Sequence, residues 1–124
     1  MSQNTADQVM VRELNLSLVL RLIHNDAPIS RAKIAQTTGL NKSTASSLVE
    51  ALLKRKLIHE TGFDSGGTGR PARLLEINAQ AGGIVGVEFG VDYIAIALTD
   101  FSGRILWSKN KRTGMQDEKE KTLA

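Results

Sequence analysis

The sequence predicts an α+β fold in which helices come first and β-strands follow. Through residues 9–25 and 42–56, apolar residues recur at three- and four-residue spacing, the pattern of amphipathic helices. From residue 57 onward, apolar and polar residues alternate in short runs separated by glycine-rich turns, which is typical of β-strands. A chain of 124 residues has room for one ordinary domain, or for a small domain and part of another.

The first predicted helix runs from Val9 to Asn25 and follows a flexible N-terminal segment, residues 1–8. Pro28 prevents the helix from continuing, because proline disfavours helical backbone at the residue before it. The spacing places six apolar side chains on the inward face of this helix: Val11, Leu14, Leu18, Val19, Leu22 and Ile23.

Two helices joined by a tight turn are predicted next. Ser30 caps a helix over residues 31–38, with its inward side chains at Ala32, Ile34 and Ala35. Gly39 ends that helix in a left-handed conformation, and Asn41 caps a third helix that reaches about Lys56. The buried stripe of the third helix consists of Ala45, Leu48, Val49, Leu52 and Leu53. Two helices joined in this way form the helix-turn-helix motif.

A β-hairpin with a glycine-rich loop completes the first predicted domain. Its strands cover residues 57–61 and 73–77, and its loop covers residues 62–71 and contains the tripeptide Gly69-Arg70-Pro71. A helix, a helix-turn-helix and a hairpin in this order predict a winged helix-turn-helix domain over residues 9–78, with the loop as the wing.

Residues 79–124 are predicted to begin a second, incomplete unit. Three successive strands are indicated at residues 84–89, 93–99 and 104–108, followed by a charged segment. Three strands of this length leave one face of their sheet uncovered, so we expect this region to be the opening of a larger domain.

The composition excludes several classes of protein. A hydrophobic fraction of 41% and a charged fraction of 23% are typical of a soluble globular protein. No apolar run is long enough to span a bilayer, and the N-terminus lacks the features of a signal peptide. The absence of cysteine excludes disulfides and thiolate metal sites and suits a reducing compartment, so we expect a cytoplasmic protein.

Catalytic chemistry has no support in the residues. The two histidines, His24 and His59, lack metal-ligand spacing, and no nucleophile elbow, P-loop or dinucleotide-binding glycine pattern is present. We therefore expect no catalytic residue, no metal and no cofactor, and a protein that is not an enzyme.

The placement of charge favours a nucleic-acid partner. Residues 1–78 carry ten Lys/Arg and seven Asp/Glu, whereas residues 79–124 carry six of each. Within residues 30–70, seven basic residues stand against three acidic ones, a net charge of +4. An excess of positive charge in one region is the pattern of a surface that meets phosphates.

The third helix is the main candidate for DNA recognition. A helix that enters the major groove is slim and polar on its outer face, and its N-terminal dipole is available to phosphate. The first turns of this helix offer short hydrogen-bonding side chains and a cation: Asn41, Lys42, Ser43, Thr44, Ser46 and Ser47. The alternative is a solvated face rich in helix-capping residues.

The wing is the second candidate. Gly69-Arg70-Pro71 is similar to the core of an AT-hook, in which an extended arginine lies in a narrow A·T-rich minor groove. The alternative is an ordinary turn. Arg31 and Arg73 are candidates for contacts to backbone phosphates, and the alternative for each is a solvated side chain.

With these motifs in place, the chain resembles the ROK family (repressors, open reading frames and kinases), specifically its NagC/Mlc/XylR-like transcriptional repressors. The resemblance rests on Arg12-x-x-Asn15, on residues 29–35 and 38–44, and on Leu57-Ile58-x-Glu60. It continues through Gly69-Arg70-Pro71, Leu75-x-Ile77-Asn78, residues 86–90 and the segment from Leu98 to Leu106. The later segments are similar to the start of the family's sugar-binding domain, which has the fold of actin-like ATPases and sugar kinases.

The resemblance implies a homo-oligomeric repressor of sugar-metabolism genes. Its partner would be double-stranded DNA with an A·T-rich inverted repeat, and a homodimer would read the two halves. In the family's kinases the turn after the first strand of the second domain is DxGGT and binds ATP phosphates. Residues 88–92 of this chain depart from that pattern, since they read Glu-Phe-Gly-Val-Asp.

The resemblance also implies a sugar inducer and a zinc-binding His/Cys cluster, but the family places both beyond residue 124. The sugar inducer site is therefore expected to be absent from this chain, which would be a fragment or a truncated ROK product. Two alternatives stay open: a remnant ROK sugar kinase, and a winged-helix module that binds protein rather than DNA.

Overall fold

The computed structural model describes residues 2–66 and 69–114 and divides after Asn78 into two compact units. Residues 1, 67, 68 and 115–124 lie outside the described residues, so part of the predicted loop 62–71 and the charged end of the second unit do too. In the described part of the chain, the first unit contains three helices and three strands, and the second contains a 3₁₀ turn and three strands. The mixed α and β composition agrees with the predicted fold class.

The first helix of the first unit is longer than predicted. Helix α1 spans Ser2–Asp26. The helix begins seven residues before the predicted start at Val9, in a segment that contains neither glycine nor proline to interrupt it. The flexibility expected of residues 1–8 stays a prediction. The side chains of residues 3–10 are nevertheless exposed, as their polar character indicates.

The core-facing side of α1 also differs from the prediction. Leu16, Val19 and Ile23 are buried, whereas Val11, Leu14 and Leu18 are exposed. The sequence of α1 carries two apolar stripes on opposite sides of the helix, and periodicity alone does not tell which of them packs against the domain.

Capping defines the boundaries of the next two helices, α2 (Arg31–Thr38) and α3 (Lys42–Lys54). The Ser30 Oγ accepts a hydrogen bond from the Lys33 backbone N–H at 3.2 Å, and the Asn41 Oδ1 accepts one from the Thr44 N–H at 2.7 Å. Gly39 ends α2 with φ of 76°, a left-handed conformation that glycine adopts without steric penalty. The two caps and the left-handed glycine were predicted from the sequence, and the structure confirms all three.

Two details of these helices were predicted wrongly. Ala32 is exposed, because it lies two residues before the buried Ile34 and therefore about 200° around the helix axis. Helix α3 ends at Lys54 rather than near Lys56, because Lys56 adopts a positive φ of 60° that no helix continues. Leu53 is half-buried at the edge of the core.

Ser30→Ala is expected to lower the free energy of unfolding of the first unit by about 1 kcal/mol, because the Lys33 N–H loses its acceptor at the start of α2. Urea denaturation followed by circular dichroism at 222 nm measures the change. Ser17→Ala, at an exposed position within α1, is the control and is expected to leave the midpoint unchanged.

An antiparallel sheet closes the first unit. Its strands are β1 (Ile29–Ser30), β2 (Ile58–Asp64) and β3 (Ala72–Ile77), in the order β1-β3-β2. The sequence did not predict β1, because two residues are too few to show alternation and their partners lie at Leu74 and Leu75. Strand β2 extends further than predicted, with an irregular register between Glu60 and Gly62.

A single apolar core joins the helices to this sheet. Side chains from α1, α2, α3 and all three strands meet in it, and Leu75 of β3 is fully buried there. The buried members of α3 are Ala45, Leu48, Val49 and Leu52. Because these residues pack in the core, the opposite side of α3 faces the solvent.

The second unit is an antiparallel meander. After a 3₁₀ turn at Ala79–Ala81, β4 (Gly83–Phe89), β5 (Tyr93–Asp100) and β6 (Ile105–Arg112) lie side by side in chain order. None of its described residues, 79–114, is buried. The Asp100 carboxylate holds the turn that follows β5, and its pKa is lowered by the hydrogen bond from the Ser102 hydroxyl and by the N–H groups of Arg104 and Ser102.

Candidate nucleic-acid interface

Helix α3 presents a narrow polar row to the solvent. Ser43, Ser47, Glu50 and Lys54 are exposed and recur at three- and four-residue spacing on the side opposite the core. Two short hydroxyl side chains keep the first half of this row slim. This first half suits close approach of the helix to another molecule, because neither serine holds the backbone away.

The other predicted residues of α3 take different positions. Lys42 is exposed at the N-terminal end, whereas Thr44 and Ser46 are half-buried at the flanks. Asn41 is exposed, but its side-chain oxygen holds the cap and also accepts a hydrogen bond from the Ser43 hydroxyl at 2.9 Å. Asn41 therefore orients the first turn of the helix.

The structure connects α3 to the hairpin through four alternating charges, which we call the ion-pair chain: Glu50, Arg31, Glu60 and Arg73. Nη2 of Arg31 lies 2.6 Å from Oε1 of Glu50 and 3.8 Å from Oε1 of Glu60. Nη1 of Arg73 lies 2.6 Å from Oε2 of Glu60. Because these contacts run without a break, the outer row of α3 and the strands of the hairpin lie on the same side of the unit.

Arg31 and Arg73 were predicted to meet phosphates, and the structure shows both engaged by carboxylates. Arg73 also lies over the Phe63 ring, 5.8 Å from its centroid, which further fixes the guanidinium on the hairpin. Contact of either arginine with DNA stays a prediction.

Unpaired positive charge lies on the loop and on the helices. Within residues 2–66 and 69–114, exposed Lys33, Lys42, Lys54 and Arg70 have no ion-pair partner. Gly69 precedes Arg70 with φ of 119°, a backbone conformation that side chains rarely adopt. Arg70 lies in the loop of the hairpin, and its guanidinium has no carboxylate partner among the described residues.

Sequence reasoning missed the ion pair of Glu50 and the roles of Glu60 and Phe63 in this surface. The spacing of Glu50 from Ser43 and Ser47 does place it on the outward row of α3. No local pattern indicates the ion pairs of Glu60, because its two arginine partners come from α2 and β3.

The resemblance to the ROK family places the turn after β4 at the position of the kinases' phosphate-binding turn. Here the Glu88 carboxylate accepts a hydrogen bond from the Tyr93 hydroxyl at 2.5 Å, and this contact raises the pKa of Tyr93. The Tyr93 ring also covers Gly90, where an added Cβ would lie 2.0 Å from Tyr93 Cε1. The backbone of Gly90 is therefore covered by a ring on one side.

No group of three or more His, Asp or Glu side chains is placed to hold a metal ion in the described part of the chain. No helix among the same residues combines the length and the apolar character needed to cross a membrane.

The chain is similar to several curated repressors. It is 46% identical over 101 residues to the xylose repressor of Bacillus spizizenii, covering 82% of this chain and 26% of that repressor. It is 35% identical over 117 residues to the xylose repressor of Caldicellulosiruptor bescii, covering 94% and 29%. The dual regulator NagC of Escherichia coli is 31% identical over 97 residues, covering 78% and 24%. No protein-family model matches the chain.

A solved structure gives the same result. The crystal structure of a ROK family transcriptional regulator, a homologue of the E. coli Mlc protein, matches with a TM-score of 0.64 and 26% identity. The match covers 91% of this chain and 30% of that one. The chain thus spans under a third of the length of the proteins it matches. Over that length, it is related to the N-terminal part of the ROK family transcriptional repressors, which confirms the family that its motifs indicated.

Proposed function

We propose that the chain is a sequence-specific DNA-binding transcriptional regulator, whose winged helix-turn-helix domain covers residues 9–78. The observation that carries the proposal is the position of the exposed row of α3 beside a hairpin whose loop holds an unpaired arginine. Double-stranded DNA offers a major groove and an adjacent minor groove, which a helix and a loop can occupy together.

In this proposal α3 lies in the major groove. Ser43 and Ser47, with half-buried Ser46 beside them, meet base edges or phosphate oxygens, and Lys42 and Lys54 neutralise phosphates at either end. The N-terminal end of α3 adds a partial positive charge next to the backbone of the duplex. Thr44 contributes through the orientation of the first turn.

Arg70 enters the adjacent minor groove. A narrow A·T-rich groove concentrates negative potential and favours an inserted guanidinium. The absence of a carboxylate partner for Arg70 in the described residues supports this role, because the arginine need not break an ion pair to bind.

The regulated genes are proposed to belong to sugar metabolism, and the operator to be an A·T-rich inverted repeat bound by a homodimer. This rests on the relatives, which are named for xylose and N-acetylglucosamine. The relatives are named as repressors and regulators rather than enzymes, and the Tyr93 ring over Gly90 supports a turn that does not bind phosphate. We therefore propose that the chain is a regulator rather than a kinase. A regulator that binds DNA in a bacterium would act in the cytoplasm.

Selection of tight-binding duplexes from a random library, followed by fluorescence anisotropy at two salt concentrations, tests the proposal. We expect one sequence to be selected, and affinity for it to fall steeply with salt because phosphate contacts release counterions. Binding to no duplex even at low salt, with the chain folded, would contradict DNA binding and favour the protein-interaction alternative.

Glu60→Gln tests whether the ion-pair chain positions the hairpin, because this effect and the loss of a negative charge change DNA affinity in opposite directions. Loss of a negative charge near the duplex should tighten non-specific binding by roughly threefold. We expect specific binding instead to weaken by about tenfold, because the hairpin is no longer fixed relative to α3 and misplaced contacts lose binding energy. Anisotropy on selected and scrambled duplexes measures both, with Glu13→Gln as the control for loss of a paired carboxylate. Equal tightening on both duplexes would refute the positioning role.

A further inference from the structure

Glu50 places a carboxylate in the exposed row of α3, the side of the helix that the proposed function turns toward DNA. Its side chain is 68% exposed. It lies seven residues after Ser43 and three after Ser47, and side chains at such spacing on one helix contact bases in homeodomains. A negative charge there is repelled by the phosphates of both strands, so the DNA backbone is no partner for it. The partner that suits it is the edge of a base.

One oxygen of the Glu50 carboxylate is engaged within the protein, and the other is open. Nη2 of Arg31 lies 2.6 Å from Oε1 of Glu50. Oε2 accepts no hydrogen bond from any residue in the ranges 2–66 and 69–114. The ion pair offsets part of the negative charge, which lessens the repulsion between Glu50 and the duplex. The structure thus holds a partly neutralised hydrogen-bond acceptor on the exposed row of α3.

An acceptor without a neighbouring donor distinguishes the bases in the major groove. Guanine presents two acceptors there, O6 and N7, and thymine presents the acceptor O4 and a methyl group. Adenine presents the N6 amino donor beside the acceptor N7, which repels a carboxylate that approaches both. Cytosine presents the N4 amino donor and no acceptor of its own. A glutamate oxygen in the groove is therefore best matched by cytosine.

We propose that Glu50 is a specificity-determining residue that selects cytosine at one position of the DNA site, with its Oε2 accepting a hydrogen bond from the N4 amino group. The inference rests on the proposed function and adds the identity of one base to it. Glu50 and Ser47 are about 4.5 Å apart along the helix axis at 1.5 Å per residue. Because base pairs are stacked about 3.4 Å apart, the cytosine should lie within about two base pairs of the position that Ser47 contacts.

Parallel selections from a random duplex library test the assignment, with the wild-type chain, Glu50→Ala and the control Glu13→Ala. Glu13 is also an exposed carboxylate paired with one arginine, since its Oε1 lies 3.6 Å from Nη2 of Arg55. We expect the wild-type chain and Glu13→Ala to select cytosine at the same position. Glu50→Ala should lose about tenfold of the discrimination against the other three bases at that position. Circular dichroism checks that both exposed substitutions leave the fold intact.

Removal of a single group from the DNA gives a second measurement. Pyrimidinone, the cytosine analogue without the amino group, replaces the selected cytosine and keeps the rest of the base. The wild-type chain and Glu13→Ala should each lose about tenfold in affinity on this duplex. Glu50→Ala should bind both duplexes equally. Comparison of the two proteins on the same pair of duplexes separates the lost contact from the weakened base pair.

Three results would overturn the inference and leave DNA binding intact. In the first, Glu50→Ala tightens binding equally on every duplex, so that Glu50 acts through its charge alone. In the second, the wild-type chain selects a site without a cytosine whose preference depends on Glu50. In the third, the wild-type chain and Glu50→Ala lose the same affinity on the pyrimidinone duplex. Binding of the wild-type chain to no duplex would overturn both the inference and the proposed function.

Discussion

Arg70→Ala is expected to weaken binding to the selected duplex by about tenfold to a hundredfold, the range for an arginine that reads a groove. The loss comes from the negative potential of a narrow A·T-rich minor groove, which the guanidinium no longer neutralises. The slope of log affinity against log salt concentration should also become shallower, by the amount that about one phosphate contact contributes. Anisotropy titrations at several salt concentrations measure both quantities.

The control for Arg70→Ala removes the same charge elsewhere. Arg112 is exposed on β6 of the second unit, and Arg112→Ala is expected to change the affinity by less than about twofold.

Exchange of the A·T pairs beside the α3 contact for G·C pairs should weaken DNA binding by the wild-type chain and leave the affinity of Arg70→Ala unchanged. If both proteins lose affinity equally on the G·C duplex, Arg70 does not lie in that groove.

Leu48→Ala is expected to lower the free energy of unfolding of the first unit by about 2–5 kcal/mol. Leu48 is 1% exposed and lies in the core directly beneath the outer row of α3. The lost side chain leaves a cavity between α3 and the rest of the core, and a loss of this size is a large part of the ~5–15 kcal/mol of a typical domain.

Urea denaturation measures this effect, and Leu14→Ala is the matched control. Leu14 is the same residue type in a helix but is exposed on α1, so its replacement should change stability by no more than about 0.5 kcal/mol. Equal losses in the two variants would mean that α1 packs with Leu14 inward, as the sequence first suggested, and would contradict the core described above.

Local features of the sequence predicted the parts of the fold that local chemistry determines. Ser30 and Asn41 cap helices because their oxygens reach N–H groups three residues ahead, and Gly39 ends α2 because glycine tolerates a positive φ. The hairpin followed from alternation and a glycine-rich loop. These choices need no information from distant parts of the chain.

Features that depend on distant residues were missed. The packed side of α1 depends on what lies against it, and β1 exists because Ile29 pairs with Leu75. Glu50 and Arg31 are 19 residues apart in sequence, and Arg73 and Glu60 are 13 apart, so no spacing rule indicates their ion pairs. For the candidate site, the sequence predicted the exposure of Lys42, Ser43 and Ser47. It did not predict that Thr44 and Ser46 are half-buried, or which arginines are already paired.

Base recognition by the outer face of α3 should depend on its serines. We would measure the ratio of dissociation constants for scrambled and selected duplexes, and compare the wild-type chain with Ser46→Ala/Ser47→Ala at one salt concentration. Serine carries no charge and alanine favours helix, so non-specific binding and folding should be unchanged. We expect this ratio to fall at least about tenfold in the variant, entirely through weaker binding to the selected duplex. An unchanged ratio would contradict recognition by α3.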